Sequence, residues 1–444
     1  MEALQYPLAL IVTLGVLVTI HELGHFIVAR FSGVRVVRFS VGFGKPLWSW
    51  FDRHGTEFAI AAIPLGGYVR MLDEREPGVV EAVRQPGDLS YNELGVWWRI
   101  GIAAAGPLAN FLLAAVVYWL LFVVGNTSIA PMLGSVPEGS PAERAGLSGG
   151  EEIVAVDGQR ARSWQEVTMA LAGRLGDTGS IVLTTRTPGA EQERDARLPV
   201  ASWHRGEDEP DLLGSLGIQP ALPAVIGQVL PDSPAERAGL QRFDLVLSAD
   251  GEPVTGWVGW VERIQAAPGR PVDVLVQRGD RQLALRVRPE ARAGADGGDM
   301  GYVGVGPHTN EIRYGALAAV PRSLVETWDK TALTLGLLKK MVTGDVSMKN
   351  LSGPITIAKV AGDSARSGWQ FFFGVLALLS ISLGVLNLLP IPILDGGHIM
   401  FCAAEAVRGK PVSERAQIVG TQIGLFLVAG LMMLAIYNDI TRLF

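Results

Sequence analysis

Val16-Leu-Val-Thr-Ile-His21-Glu22-Leu23-Gly24-His25-Phe-Ile-Val-Ala29 is an apolar stretch with three ionisable side chains inside it. On a helix, positions four apart share a face, so His21 and His25 can hold one zinc ion between them. Glu22, between the two, can serve as general base toward a water on that ion. The run from Leu8 to Ala29 is about 22 residues, which at 1.5 Å per residue crosses a ~30 Å hydrocarbon core. Ionisable groups inside such a span are functional candidates, because an unpartnered charge there is costly. The chain has only six histidines, and two of them are in this motif. Working outward, the rest of the chain must supply further spans and at least one more ligand.

Composition agrees with a part-membrane, part-soluble protein. Of 444 residues, 48% are hydrophobic and the mean hydropathy is +0.29. Net charge is −6 and the pI about 5.6, so there is no basic excess for nucleic acid. The single cysteine, Cys402, excludes an intramolecular disulfide. Met1 to Gln5 has no Lys or Arg, so a signal peptide with a basic leader is not expected.

Residues 1–30 read as the first transmembrane helix, and 31–98 as a cytoplasmic, membrane-associated β-region. Nine Lys or Arg fall between Arg30 and Arg99, which places this loop in the cytoplasm and both termini on the periplasmic side. Val34 to Phe39 and Glu57 to Ala61 read as strands. Gly42-Phe43-Gly44 and Pro64 to Tyr68 read as turns. Such a sheet could dip beside the site and hold an extended peptide by strand addition; a plain cytoplasmic hairpin is the other reading. Residues 99–125 form the second span. Its Gly106-Pro107-Leu108-Ala109-Asn110 suits close helix packing.

A soluble stretch follows and contains a repeat. Ser140-Pro-Ala-Glu-Arg-Ala-Gly-Leu147 recurs unchanged as Ser233 to Leu240, 93 residues on. The same offset relates Asp157-Gly158 to Asp250-Gly251 and Trp164 to Trp257. Two copies of one unit of roughly 80–90 residues follow, expected at 126–206 and 211–292. The unit resembles the PDZ domain in its bacterial protease arrangement. Leu216, Gly217 and Ile218 would lie in the peptide-binding loop of the second copy. Glu290 to Asp299 reads as a linker, and 293–368 as linker plus an interfacial amphipathic helix from Leu317 to Thr343, a solvated helix packed on the repeat pair being the other reading.

Residues 369–398 form the third span, broken near its end by Pro390 and Pro392. Irregular backbone at membrane depth is tolerated where it lines a polar cavity. Asp395 is a candidate third zinc ligand there, with His398 a candidate supporting group. Residues 399–416 read as a cytoplasmic loop and 417–438 as the fourth span.

His-Glu-Leu-Gly-His in the first span, Asn387-x-x-Pro390-x-Pro392-x-x-Asp395-Gly396 in the third, and a soluble repeat between resemble the site-2 proteases over nearly the whole chain. The resemblance implies a polytopic α-helical membrane protein with four transmembrane helices, a small membrane-associated β-sheet and two inserted periplasmic PDZ domains. It implies an intramembrane zinc endopeptidase of the bacterial inner membrane, with one Zn2+ per chain. His21, His25 and Asp395 resemble the ligands and Glu22 the catalytic base. Asn387 and Pro390, with Gly42, Phe43 and Gly44, fall where the family contacts substrate. The substrates implied are single-span proteins already shortened on the periplasmic side, anti-sigma factors and remnant signal peptides among them. The partners are such substrates and the bilayer; the chain is expected to be a monomer. Two rivals are an inactive membrane-tethered PDZ adapter and a zinc transporter. A transporter predicts ionisable groups strung along several spans; here they cluster at one depth on two.

Overall fold

The structure, a computed structural model, describes residues 2–74, 87–190, 192–254, 256–279, 281–293 and 299–442. Arg75 and Arg84 of the basic loop and residues 294–298 of the Glu290–Asp299 stretch lie outside them. The chain divides into two compact units: Met1–Gly125 with Arg313–Leu338 and Met348–Phe444, and Asn126–Ile312 with Lys339–Ser347.

The first unit is built on long apolar helices. These are α1 (Glu2–Ser32), α2 (Val96–Val124), α3 (Trp369–Asn387) and α5 (Glu414–Thr441), with the shorter helix α4 (Asp395–Arg408) preceding α5. Among the described residues, four segments are long and apolar enough to cross a membrane: Tyr6–Ser32, Val96–Val124, Trp369–Asn387 and Glu414–Thr441. Their outward side chains are exposed and apolar, for example Leu112 at 65% and Phe426 at 79%, as lipid-facing surfaces require. Small residues set the helix spacing. A Cβ at Gly24 of α1 would collide with the Ala105 carbonyl of α2, and one at Gly384 of α3 would press on Phe111 and the Pro107 carbonyl. Ala114, Val117 and Leu121 then pack with Ala377, Ile381 and Val385. Near the end of α5, the Asp439 carboxylate accepts from the amides of Gly353, Ile355 and Thr356 at 2.8–3.1 Å. It thereby caps the helix Pro354–Arg366, whose first amides have no partners within their own helix. The amphipathic helix forms as Ala316–Thr343, burying Ala319, Ser323 and Thr327 and exposing Leu317, Leu324 and Trp328.

The β-region differs from expectation. Strands β1 (Val36–Phe51) and β2 (Glu57–Met71) run through both expected turns. Val36–Val41 is flanked on one side by Gly67–Met71 and on the other by Glu57–Ile60, which also pairs with Trp48–Phe51. Gly42, Gly44 and Gly66 have φ of +93°, +90° and +122°, so the glycines kink a continuing ladder and shift its register. The third span is also shorter than expected. α3 stops at Asn387, an irregular link follows, and Asp395 opens the separate helix α4. Pro390 and Pro392 have no N–H to continue a helix. A Cβ at Gly396 would strike the carbonyls of Leu388 and Leu389, and one at Gly397 the Ile391 carbonyl. The Asp-Gly-Gly is therefore a helix start pressed against its own link, and not a turn. α4 also takes the place of most of the expected 399–416 loop.

The second unit holds the two repeat copies. In each, a serine at the N-cap accepts from the amide three residues on: Ser140 from Glu143 at 3.1 Å and Ser233 from Glu236 at 3.3 Å. Pro141 and Pro234 follow at the first helical position, where a missing N–H costs nothing. The shared Ser-Pro-Ala-Glu-Arg is thus a helix-start signal. Each copy has its own core: Ile153, Val167, Leu171, Ile181 and Leu198 in the first, Val246, Trp260, Ile264, Val274 and Val287 in the second.

The expected boundaries need correction, and with them the loop assignment. Leu216 and Ile218 are each 1% exposed, in the core of the first copy, and Pro220–Ala221 pairs with Met132–Leu133 of that copy. The second copy runs on past 292: Val303 lies in its core, and Val305–Pro307 pairs with Ile226–Val229. The stretch read as a linker brings Glu290–Ala293 against Asp299–Tyr302 as an antiparallel pair. Gly217 has φ +76° and a Cβ there would collide with Ser140; Gly304 has φ +79° and its Cβ would collide with Ser233. The counterpart of Leu213–Ile218 in the second copy is therefore Met300-Gly-Tyr-Val-Gly-Val305. Each loop closes on the capping serine that came earlier in the same copy. In the first copy the amides of Gly214 to Ile218 are already spent, on Asp211 and on the carbonyls of Leu213 and Gly214.

Candidate metal centre

α1, α2 and the start of α4 meet around His21, His25 and Asp395. The Nε2 atoms of the histidines are 3.2 Å apart. His21 Nε2 is 3.2 Å from Asp395 Oδ2, and His25 Nε2 is 3.5 Å from Asp395 Oδ1. Donor atoms about 2.0–2.1 Å from one tetrahedral ion lie roughly 3.3 Å from each other. Two imidazole nitrogens and a carboxylate oxygen also suit zinc chemically, and three protein ligands leave a fourth position open. The residues present therefore fit a catalytic zinc. Among the described residues this is the one cluster of three or more His, Cys, Asp or Glu able to hold a metal.

The rings are fixed by α2. The Ile102 carbonyl accepts from His25 Nδ1 at 2.7 Å, which leaves His25 Nε2 as the lone-pair atom. Asn110 Nδ2 lies 3.2 Å from His21 Nδ1. A Cβ at Gly106 would strike both imidazoles. Ile102, Gly106 and Asn110 are four apart, so one face of α2 carries all three contacts. The expectation of simple packing for Gly106 to Asn110 missed this. The Gly-x-x-x-Asn spacing inside an apolar span was the available signal.

A cavity of about 700 Å3 adjoins the cluster. Glu22, Phe43, Gly66–Met71, Asn387 and His398 line it with the three cluster residues. Glu22 accepts from the Val69 amide, and Gly67 packs so closely that a Cβ there would press on Val18 and Glu22. β2 thus runs directly beside the helix bearing Glu22. Asn387 Nδ2 lies 3.5 Å from His21 Nε2. Of the other sequence candidates, Gly42, Gly44 and Pro390 do not line the cavity; Pro390 is exposed in the link. Leu216, Gly217 and Ile218 belong to the other unit. The sequence suggested a peptide-holding sheet here with a turn at Pro64 to Tyr68, but only the observed pairing puts the edge Gly66 to Met71 at the cavity.

The sequence profile of peptidase family M50 matches residues 9–431. The chain belongs to peptidase family M50. It is 43% identical to the regulator of sigma-E protease RseP of Escherichia coli K12, over 98% of each protein. It is 41% identical to protease RseP of Yersinia pestis and 39% identical to a Vibrio cholerae protein whose name carries the words zinc metalloprotease, again over 98% of each. This M50 chain is a zinc metalloendopeptidase, and its long apolar helices are those of a membrane protein.

Proposed function

We propose that this protein cuts single-span membrane proteins within or near the bilayer, after an earlier cut has shortened them on the periplasmic side. The observation that carries the reading is one cavity holding His21, His25, Asp395, Glu22, Asn387 and the edge of β2. His21, His25 and Asp395 would hold one zinc, which when bound supplies a Lewis acid for the peptide carbonyl and a more acidic water. Glu22 takes the proton of the attacking water and returns it to the leaving amine. The Asn387 amide, beside the ligands, donates to the reacting peptide. A substrate helix hides its carbonyls in its own hydrogen bonds, so it must unwind first. The Gly66–Met71 edge can then hold it extended by strand pairing, with Phe43 at the cavity mouth and Gly42 and Gly44 shaping β1. Pro390 keeps the link to Asp395 irregular.

The membrane placement follows from charge. The basic Arg30–Arg99 segment lies in the cytoplasm, so the site faces the cytoplasmic half of the inner membrane and the termini are periplasmic. The two repeat copies are PDZ domains on the periplasmic side. The first, with its loop amides spent, serves as structure; a peptide carboxylate would go to the Gly301–Val305 loop of the second. Membrane-bound anti-sigma factors and remnant signal peptides are the substrate class that the RseP relatives suggest.

To test this, the purified protein is given a model single-span substrate with a short periplasmic tail. Cleavage is expected, with loss on treatment with a zinc chelator, recovery on adding zinc, and no cleavage by Asp395→Ala. Chelator-resistant cleavage would exclude the zinc reading.

A further inference from the structure

We propose that Asn110 is a positioning residue that fixes the His21 ring for metal binding through Nε2. This rests on the zinc reading above and goes further into the same site. Asn110 is 0% exposed, in the middle of α2. Its backbone carbonyl accepts from Ser380 Oγ of α3 at 2.8 Å, so the residue is held from a second helix. Its side-chain nitrogen faces His21 Nδ1 at 3.2 Å, while Oδ1 is buried with no hydrogen-bond partner among the described residues.

His21 Nε2 is the atom that faces Asp395 and His25. A neutral imidazole carries one hydrogen. With that hydrogen on Nε2 and directed at Asp395, Nδ1 is an acceptor, and the amide nitrogen of Asn110 complements it. With Nε2 presenting its lone pair to a metal, the hydrogen sits on Nδ1 and requires an acceptor. The two ends of an asparagine amide are isosteric. A half-turn of the amide brings Oδ1 from its partnerless position to the Nδ1 hydrogen. His25 is served by a backbone acceptor, the Ile102 carbonyl, eight residues earlier on the same face of α2. Among the described residues no backbone carbonyl is bonded to His21 Nδ1, and Asn110 takes the role. Partners of this kind fix ring orientation and tautomer at metal sites, and their loss costs about 10–100-fold in metal affinity.

The test compares Asn110→Leu, which fills the volume without an acceptor, with Asn110→Asp, which keeps one. Zinc affinity of the purified full-length proteins is measured by competition with a chromophoric chelator. Asn110→Leu is expected to bind about 10–100-fold more weakly, with Asn110→Asp within a few-fold of wild type. Wild-type affinity in Asn110→Leu, or equal loss in both variants, would overturn the proposal, since a packing role predicts no rescue by an acceptor. Wild type with no zinc affinity would overturn the metal reading, and this inference with it. Should Asn110→Leu fail to fold, the zinc-loaded wild type with 15N-labelled histidine decides. The His21 ring, assigned by its loss in His21→Gln, is expected to carry its hydrogen on Nδ1; a hydrogen on Nε2 contradicts the proposal.

Discussion

The metal centre and the two repeat loops are both places where distant residues close on one another, yet they differ in what holds them. At the metal centre, buried polar groups converge because the surrounding helices are apolar. His21, His25 and Asn110 are buried between apolar helices, where an unpaired polar group is costly, and each finds a partner on another helix. In the repeats, closure is steric. Gly217 and Gly304 are in the left-handed region and let a loop lie against a serine that no larger residue would accommodate. In the first region chemistry dictates the geometry; in the second the backbone does.

Gly106→Leu should have the largest effect of the substitutions that sharpen this contrast. Gly106 is no ligand, but a side chain there occupies the space of both imidazoles. Zinc content in the purified protein is expected to fall by at least about 10-fold. Hydrogen-exchange protection in the repeat unit should not change. Full zinc occupancy in a folded Gly106→Leu would mean that the rings are not where α2 puts them.

A smaller and purely local effect is expected from Gly217→Val and Gly304→Val. A branched residue in the left-handed region costs about 1–3 kcal/mol. Hydrogen exchange on the full chain should show loosening around Ile153 and Leu198 for Gly217→Val, and around Val246 and Val274 for Gly304→Val. Zinc content and cleavage of a short-tailed substrate should stay at wild-type values in both. Loosening of the second core by Gly217→Val would restore the boundary suggested by chain order.

The same contrast explains what could be read from the sequence. His21, Glu22 and His25 stood out as a zinc-binding pattern inside an apolar run, and Asp395 because that pattern still lacked a ligand and the broken third span offered one. Asn110 stood in the same background but was read as packing, since nothing in its spacing points at His21 until α1 and α2 are placed side by side. Gly66 to Tyr68 of the cavity edge were read as part of a turn: the glycines signal one, and only the pairing with Val36–Val41 turns the signal into a kinked strand. The Leu213–Ile218 loop was assigned to the copy that follows it, because loop and capping serine are neighbours in sequence across the copy boundary. The loop instead closes on Ser140, and Pro220–Ala221 just after it pairs with Met132–Leu133, both earlier in the chain. Repeats make such slips easy, as this loop lies between two equivalent helices.

On the proposed reading, Glu22 works as a base beside three zinc ligands that do not need it. The most direct measurement takes purified wild type and Glu22→Gln side by side, and reads zinc content and cleavage of one short-tailed single-span substrate. The account predicts about one zinc per chain in both proteins, with cleavage in wild type alone. Near wild-type cleavage by Glu22→Gln would contradict it.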